Sequence, residues 1–408
     1  MPEVAFGVRQ ISFELESGDS LTEKEPADSD CRWNRESFRR VLDIARFDDF
    51  LTRGKPLVVV NDAFRPTPTG KVLSHLKNIF PDFEADYIVA CGNHPAPDKN
   101  EVAAIFEGFN LGENSQLFFH DSRDTEAMVV AGELEGQQLL LNRRLFEYSS
   151  VIVIGSVEPH YFAGYTGGRK SIVPGLCDVE STRRNHALAV SVEAQPTRLA
   201  GNPVAEHLNR LLDLAQLPPL FSIQVVAGRD RNIIDCFCGD LKTSFAEAVA
   251  ASERIYAFET DKLYDLVVAE MRPPLDRNLY QLQKAIENCA AVVRDDGTIV
   301  AVSPCSEGVG NEEFYRLAAK LQNEEMVLSR AELEHPPLGM HKLSRMVSLS
   351  RRIGVKVLTG LKREIVEQVF LEPVVSLEAE MQKLRQTEDK RINILLVRDA
   401  GQLVAKRH

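Results

Sequence analysis

With 408 residues, 44% of them hydrophobic, the chain is long enough for roughly two to three globular domains. Its 48 Lys+Arg against 60 Asp+Glu leave a net charge of -12, which argues against nucleic acid or an anionic membrane as main partner. A small anionic substrate stays open, because local lysines and arginines outvote the whole-molecule charge.

Taken in chain order, ESGDSLTEKEPADSDCR (16–32) is acidic and polar and reads as a loop or mobile excursion. RESFRRVLDIARFDDFL (35–51) has helical periodicity, and the apolar runs PLVVVND (56–62), YIVACG (87–92) and VIVIGS (151–156) read as strands. Next come the helix PVAEHLNRLLDLAQ (203–216), the strand SIQVVAG (222–228) and the helix TSFAEAVAASERIYAF (243–258). Beyond a junction near 259–263 the alternation restarts with YDLVVAE (264–270), the helix RNLYQLQKAIENCAAVV (277–293) and TIVAVS (298–303). EEFYRLAAKLQNEEMVLSRAE (312–332) is again helical, and INILLVRDAG (392–401) closes the series as a strand.

Strand–helix alternation with continuous apolar strands specifies α/β architecture, with parallel sheet covered on both faces. The restart divides the chain into an N-terminal α/β domain, 1–262, and a C-terminal α/β domain, 263–408. There is no internal repeat or low-complexity linker. No apolar run reaches the roughly 20 residues of a membrane helix, and the first residues lack the basic start and apolar core of a signal peptide. The seven cysteines are scattered, which fits a reducing cytoplasm. Cys236 and Cys238 are close enough for a metal-binding pair, but their apolar surroundings favour buried strand cysteines.

HYFAGYTGGRKSIVPG (160–175) follows the strand VIVIGS and looks at first like a nucleotide-triphosphate loop. That motif needs G-x-x-x-x-G-K-[ST], whereas Arg169 precedes Lys170 here and no apolar run ending in a magnesium-binding Asp lies within reach. Gly164, Gly167 and Gly168 then mark either a tight surface turn or a functional loop, and the density of special residues favours the second. Of nine histidines, His94 and His160 fall just beyond strand ends, where doubly wound folds place ligands, and His186 falls at the start of an expected helix. Asp62 and Arg65 also follow a strand; they are either a turn cap with a surface arginine, or an orienting carboxylate with a carboxylate-binding fork. On 277–293, Tyr280, Gln281 and Lys284 share one helical face, which by itself is an ordinary amphipathic pattern.

NDAFRPTPT, CGNHPAP, EPHYFAGYTGGRKSIVPG, RRNH, AGNPV, NLYQLQK and CSEGVGNEEF, in this order from Asn61 to Phe314, together resemble the nickel-pincer lactate racemase family. The resemblance implies two Rossmann-like α/β domains with the active site in the cleft between them. It implies a nickel ion held by pyridinium-3-thioamide-5-thiocarboxylic acid mononucleotide, covalently bound to Lys170, with His186 as the protein ligand to nickel. His94 and His160 become the two acid/base groups, and Arg65 and Lys284 the carboxylate holders, with Tyr280 and Gln281 beside them. Asp62, Gly164, Gly167, Gly168 and Arg169 become contacts to the nucleotide.

The implied reaction is racemisation or epimerisation of a 2-hydroxy acid. Hydride leaves C2 for the cofactor and returns to the opposite face, while histidines, whose pKa lies near neutrality, move the hydroxyl proton. Cofactor-biosynthesis proteins are implied as transient partners. Family members usually show Asp-x-Thr-Arg and an arginine after the first catalytic histidine; here Ala63 and Phe64 separate Asp62 from Arg65, and Pro95 follows His94. The only tryptophan is Trp33, so none lines a pocket from the second domain. These departures surround the expected substrate and point to larger or more polar acids, sugar acids included. They leave two alternatives: a cofactor-binding homologue without turnover, and a relative whose product is not a simple stereoisomer.

Overall fold

The computed structural model describes residues 1–27, 33–228, 231–322, 337, 339–388 and 391–407. Two six-stranded sheets dominate it. The first has the order Ile233–Gly239, Leu220–Ala227, Val151–Ser156, Leu57–Asn61, Asp86–Ala90, Leu117–Phe119. All its pairs are parallel except the one made by Ile233–Gly239. The second has the order Glu372–Pro373, Gly354–Leu358, Val293–Val302, Tyr264–Glu270, Asn393–Val397, Ser20–Lys24 and is parallel throughout.

The period of two along each central strand explains why both sheets are double-faced. Val58, Val60, Ile152 and Ile154 enter one core of the first sheet, while Leu57, Val59, Val151 and Val153 enter the core on the opposite face. In the second sheet Val267, Ala269 and Leu395 face one core, and Leu266, Val268 and Ile394 the other. Each buried Val, Leu or Ile contributes about 1.5–3 kcal/mol relative to exposure, so the sheets are the rigid parts on which the loops are mounted.

Several expectations are corrected by tertiary context. Within 16–32, Ser20–Lys24 is a strand: it pairs with Asn393–Val397, so a division at 262/263 places it with the wrong sheet. Residues 28–32 of that segment, Cys31 included, lie outside the described residues. The helix expected over 35–51 breaks into Arg35–Ile44 and Phe47–Leu51, because Arg46 turns left-handed at φ 57°. The helix expected over 312–332 is present as Glu312–Gln322; 323–332 lie outside the described residues. His186 sits near the end of the helix Val179–Ala187, not at its start, because Asp178 caps the helix by accepting from Ser181 N. Cys236 and Cys238 lie on the strand Ile233–Gly239, Cys236 buried and Cys238 partly so. No helix among the described residues is long and apolar enough to cross a membrane.

The two sheets are tied together beside the cleft between them. Arg345, on the helix Met340–Ser350, forms a two-pronged ion pair with Glu287 (2.8 and 2.6 Å) and donates from Nη1 to the Ala189 and Ala194 carbonyls of the first-sheet side. Away from the cleft, Ala257–Thr260 pairs in parallel with Val404–Arg407.

Candidate functional site

The chain leaves Leu57–Asn61 for neighbours on one side and Val151–Ser156 for a neighbour on the other, so the sheet order reverses between these two strands. Ligands of doubly wound sheets bind outside the carboxyl ends of strands at such a point. The cleft there is lined from the first sheet by Asp62, Phe64, Arg65, Asn93, His94, His160, Gly167, Lys170 and His186. Tyr280, Gln281, Lys284, Asn311 and Lys342 face them from the second. At its base the hydroxyls of Thr67 and Ser156 are 2.7 Å apart, and Thr67 donates to Asn61 Oδ1 at 2.9 Å, which locks the two strand ends together.

The two strand-end histidines have different surroundings. His94 is half-exposed; its Nδ1 lies 2.6 Å from Asp62 Oδ2, and its ring packs at 4.5 Å against Phe64. Asp62 therefore fixes Nδ1 as the donor and leaves Nε2 free for proton exchange. His160 is buried, and its Nδ1 accepts from the backbone N–H of Ala163 at 3.2 Å, so the neutral ring carries its proton on Nε2. Burial pushes its pKa well below the usual imidazole value, and the cations of Lys170, Arg65 and Lys284 push the same way.

Lys170 sits in the single 3₁₀ turn Gly168–Ser171, its Nζ 5.8 Å from the centroid of the Phe162 ring. The lack of a following α-helix removes the anion-binding helix terminus that a triphosphate loop requires. Burial, then Arg65, Arg169 and Lys284, hold Lys170 well below the usual lysine pKa, so a neutral, nucleophilic amine faces the cleft. His186 has a buried Nδ1 with no hydrogen-bond partner, and burial with the nearby Lys170 charge holds its pKa down to about 3. Its ring meets Phe162 edge-on at 5.0 Å and His341 at 5.7 Å.

Gly164, Gly168 and Arg169 do not line the cleft. At Gly164 (φ +77°) a Cβ would come 2.3 Å from the Arg198 carbonyl, and at Gly168 (φ +54°) 2.5 Å from the Phe245 ring. These glycines answer to protein neighbours, and the Gly168 N–H is taken by Gln224 Oε1 at 2.8 Å. Arg169 is buried with its guanidinium over Phe245 and donates to the Ala163 carbonyl, packing the loop from behind. Asp62 likewise spends Oδ2 on His94 and Oδ1 on the Phe64 N–H, so its observed part is to orient the histidine.

On the facing wall, Asn278 caps the helix Leu279–Cys289 and presents Tyr280, Gln281 and Lys284 in its first turns. Burial, Arg65 and Lys342 hold Lys284 well below the usual lysine pKa. Two lining residues escape sequence reasoning. Asn93 has both side-chain polar atoms buried and unpaired, and Lys342 is a buried lysine on a helix whose pattern looks ordinary. Only the CGNHPAP context marks Asn93; nothing in the sequence marks Lys342. Among the described residues no group of three or more His, Cys, Asp or Glu comes together as a metal site.

The fold and cleft define a two-domain α/β protein whose site joins histidines and a buried lysine on one wall to further lysines on the other. Family models for the lactate racemase N-terminal domain and C-terminal domain match residues 6–197 and 261–404. The chain is 30% identical over 299 residues to a lactate racemase of Lactiplantibacillus plantarum, covering 69% of this chain and 68% of that protein. It is 26% identical over 366 residues to a lactate racemase of Thermoanaerobacterium thermosaccharolyticum, covering 86% and 85%. The chain belongs to the lactate racemase family. Its fold matches the lactate racemase apoprotein structure from T. thermosaccharolyticum with a TM-score of 0.86 at 24% identity, over 99% of both chains. A Thermotoga maritima crystal structure matches at 0.71 and 16% identity, over 94% of this chain and 100% of that one.

Proposed function

We propose that this protein is a racemase or epimerase of 2-hydroxy acids that works with a nickel-bearing pincer nucleotide bound to Lys170. The observation that carries the reading is the meeting, in one cleft, of two histidines that each present Nε2 with a buried lysine and, on His186, an imidazole nitrogen with no hydrogen-bond partner among the described residues. The residues fit the group. Lys170 offers a neutral amine for covalent attachment, and His186 offers one donor atom to a metal whose other ligands come from the nucleotide. When bound, that group would supply a reversible hydride acceptor beside the substrate.

The chain's own residues do the rest. Arg65 and Lys284 grip the carboxylate from opposite walls, which holds C2 in place while its substituents invert. Nε2 of His94 takes or gives the hydroxyl proton on one side, with Asp62 stabilising the imidazolium that forms. On the other, His160 presents the proton-bearing Nε2 of its neutral, buried ring to the hydroxyl oxygen, and it takes up a further proton only where Nδ1 gives up the Ala163 N–H. Tyr280 and Gln281 line the same wall as Lys284 and flank the carboxylate.

The test is chiral chromatography of single enantiomers incubated with protein co-produced with the cofactor-making enzymes. Convergence of either enantiomer to an equal mixture is expected, with deuterium placed at C2 retained in the product. Washout of that deuterium to solvent would replace hydride transfer by proton abstraction, and no interconversion across a panel of hydroxy acids would remove the racemase reading.

A further inference from the structure

Lys342 has no part in the chemistry described so far. The residue is 2% exposed and lines the cleft, and its Nζ lies over the Tyr280 and Tyr161 rings, 4.0 and 4.6 Å from their centroids. It donates one hydrogen bond, to the Tyr280 carbonyl at 3.0 Å. It forms no ion pair among the described residues; the nearby Glu287 gives both carboxylate oxygens to Arg345. An ammonium has three donors, and burying it without a counter-charge is costly. The ring faces offset part of that cost; burial still pulls the Lys342 pKa down to about 7, so the amine becomes fully charged when an anion joins it.

A charge count over the lining residues sharpens the point. Arg65, Lys284 and Lys342 stand against Asp62, which is committed to His94, while Lys170 is held towards its neutral form. Attachment of the cofactor consumes the Lys170 amine, and one substrate carboxylate answers Arg65 and Lys284. Lys342 is then left over, in a wall formed by the same Tyr280 that flanks the substrate. A hydroxyl or methyl group on the substrate would leave that charge unanswered; a second carboxylate would neutralise it.

We propose that Lys342 is a specificity-determining residue that binds a second carboxylate, so that the preferred substrates are 2-hydroxy dicarboxylic acids. The proposal rests on the racemase reading for the first carboxylate, and its test separates the two. Binding of succinate and of butyrate, which differ by a carboxylate in place of a methyl group, is measured by calorimetry on the purified protein. Turnover of malate and 2-hydroxybutyrate is measured on the cofactor-loaded protein.

Succinate is expected to bind about 30-fold more tightly than butyrate, the scale of one charge-assisted hydrogen-bonded pair. Malate is expected to exceed 2-hydroxybutyrate in kcat/KM by a similar factor, carried mainly by KM. In Lys342→Met both ratios fall towards one, while Lys342→Arg, which keeps the charge, retains most of each. Unchanged ratios in Lys342→Met overturn the proposal. Loss of nickel loading in that variant with the ratios intact also overturns it, because Lys342 would then serve the nucleotide. A succinate preference that needs Lys342, in a protein that interconverts neither hydroxy acid, supports the subsite and removes the racemase reading instead.

Discussion

On the wall of the cleft built from the first sheet, the polar groups are fixed by short local links. Asp62 orients His94, the Ala163 N–H orients His160, and a loop with left-handed glycines packed on Phe245 and Arg198 aims Lys170. On the wall built from the second sheet, Lys284 and Lys342 have no carboxylate among the described residues, and the rigid element is the Arg345–Glu287 pair behind them. One wall is organised before any ligand arrives; the other carries charge that a ligand must complete. Chemistry belongs with the first arrangement and substrate choice with the second, since preorganised donors accelerate reactions and unpaired charges discriminate ligands.

The largest effects are expected on the first wall. Lys170→Ala should abolish interconversion altogether, whereas His94→Gln and His160→Gln should each lower kcat by about 10²–10⁴-fold. Metal analysis sharpens that division: His186→Ala should lose nickel while His94→Gln keeps it, and equal nickel in both would break the assignment of His186. Arg65→Met and Lys284→Met should act mostly through KM, raising it about 10- to 100-fold, the scale of a hydrogen bond to a charged group.

Stability should respond on the second wall. Arg345→Leu leaves Glu287 buried and unpaired, which should cost about 3–5 kcal/mol in urea unfolding. Adding Glu287→Leu should recover much of that loss. If the single variant is as stable as the wild type, Arg345 does not hold the walls together.

The smallest and most diffuse effect is on acid stability. His120, His160, His186, His207 and His341 all have pKa values lowered mainly by burial. Below the unfolded imidazole value of about 6.5 the unfolded chain binds more protons than the folded one, so stability is full above that pH and falls as pH drops towards the folded values. Thermal midpoints of the cofactor-free protein should therefore decline between pH 7 and pH 5. A flat profile would contradict the neutral burial of these rings.

The same contrast decides what was legible in the sequence. Strands buried on both faces announce themselves, and Leu57–Asn61, Val151–Ser156 and Tyr264–Glu270 fall where the apolar runs are. Ser20–Lys24 was hidden, because an edge strand with alternating polar residues looks like an acidic loop until Asn393–Val397 pairs with it. Residues at strand ends and in glycine loops stood out on the first wall. Tyr280 and Lys284 sit on an amphipathic helix and needed the family pattern to be noticed, and Lys342 carried no signal. Its meaning comes from the Tyr161 and Tyr280 rings, which are distant in sequence. Gly164 and Gly168 were legible as special but not in purpose, since their neighbours Arg198 and Phe245 are known only from the fold.

The central claim is that Lys170 anchors a nickel-bearing nucleotide in this cleft. Intact mass spectrometry with nickel analysis, on protein co-produced with the cofactor-making enzymes, tests it most directly. The expected result is an added mass that maps to the peptide containing Lys170, with nickel in equal amount, both lost in Lys170→Ala. An unmodified Lys170 without nickel in the wild-type protein, under conditions that load a lactate racemase produced alongside it, would contradict the account.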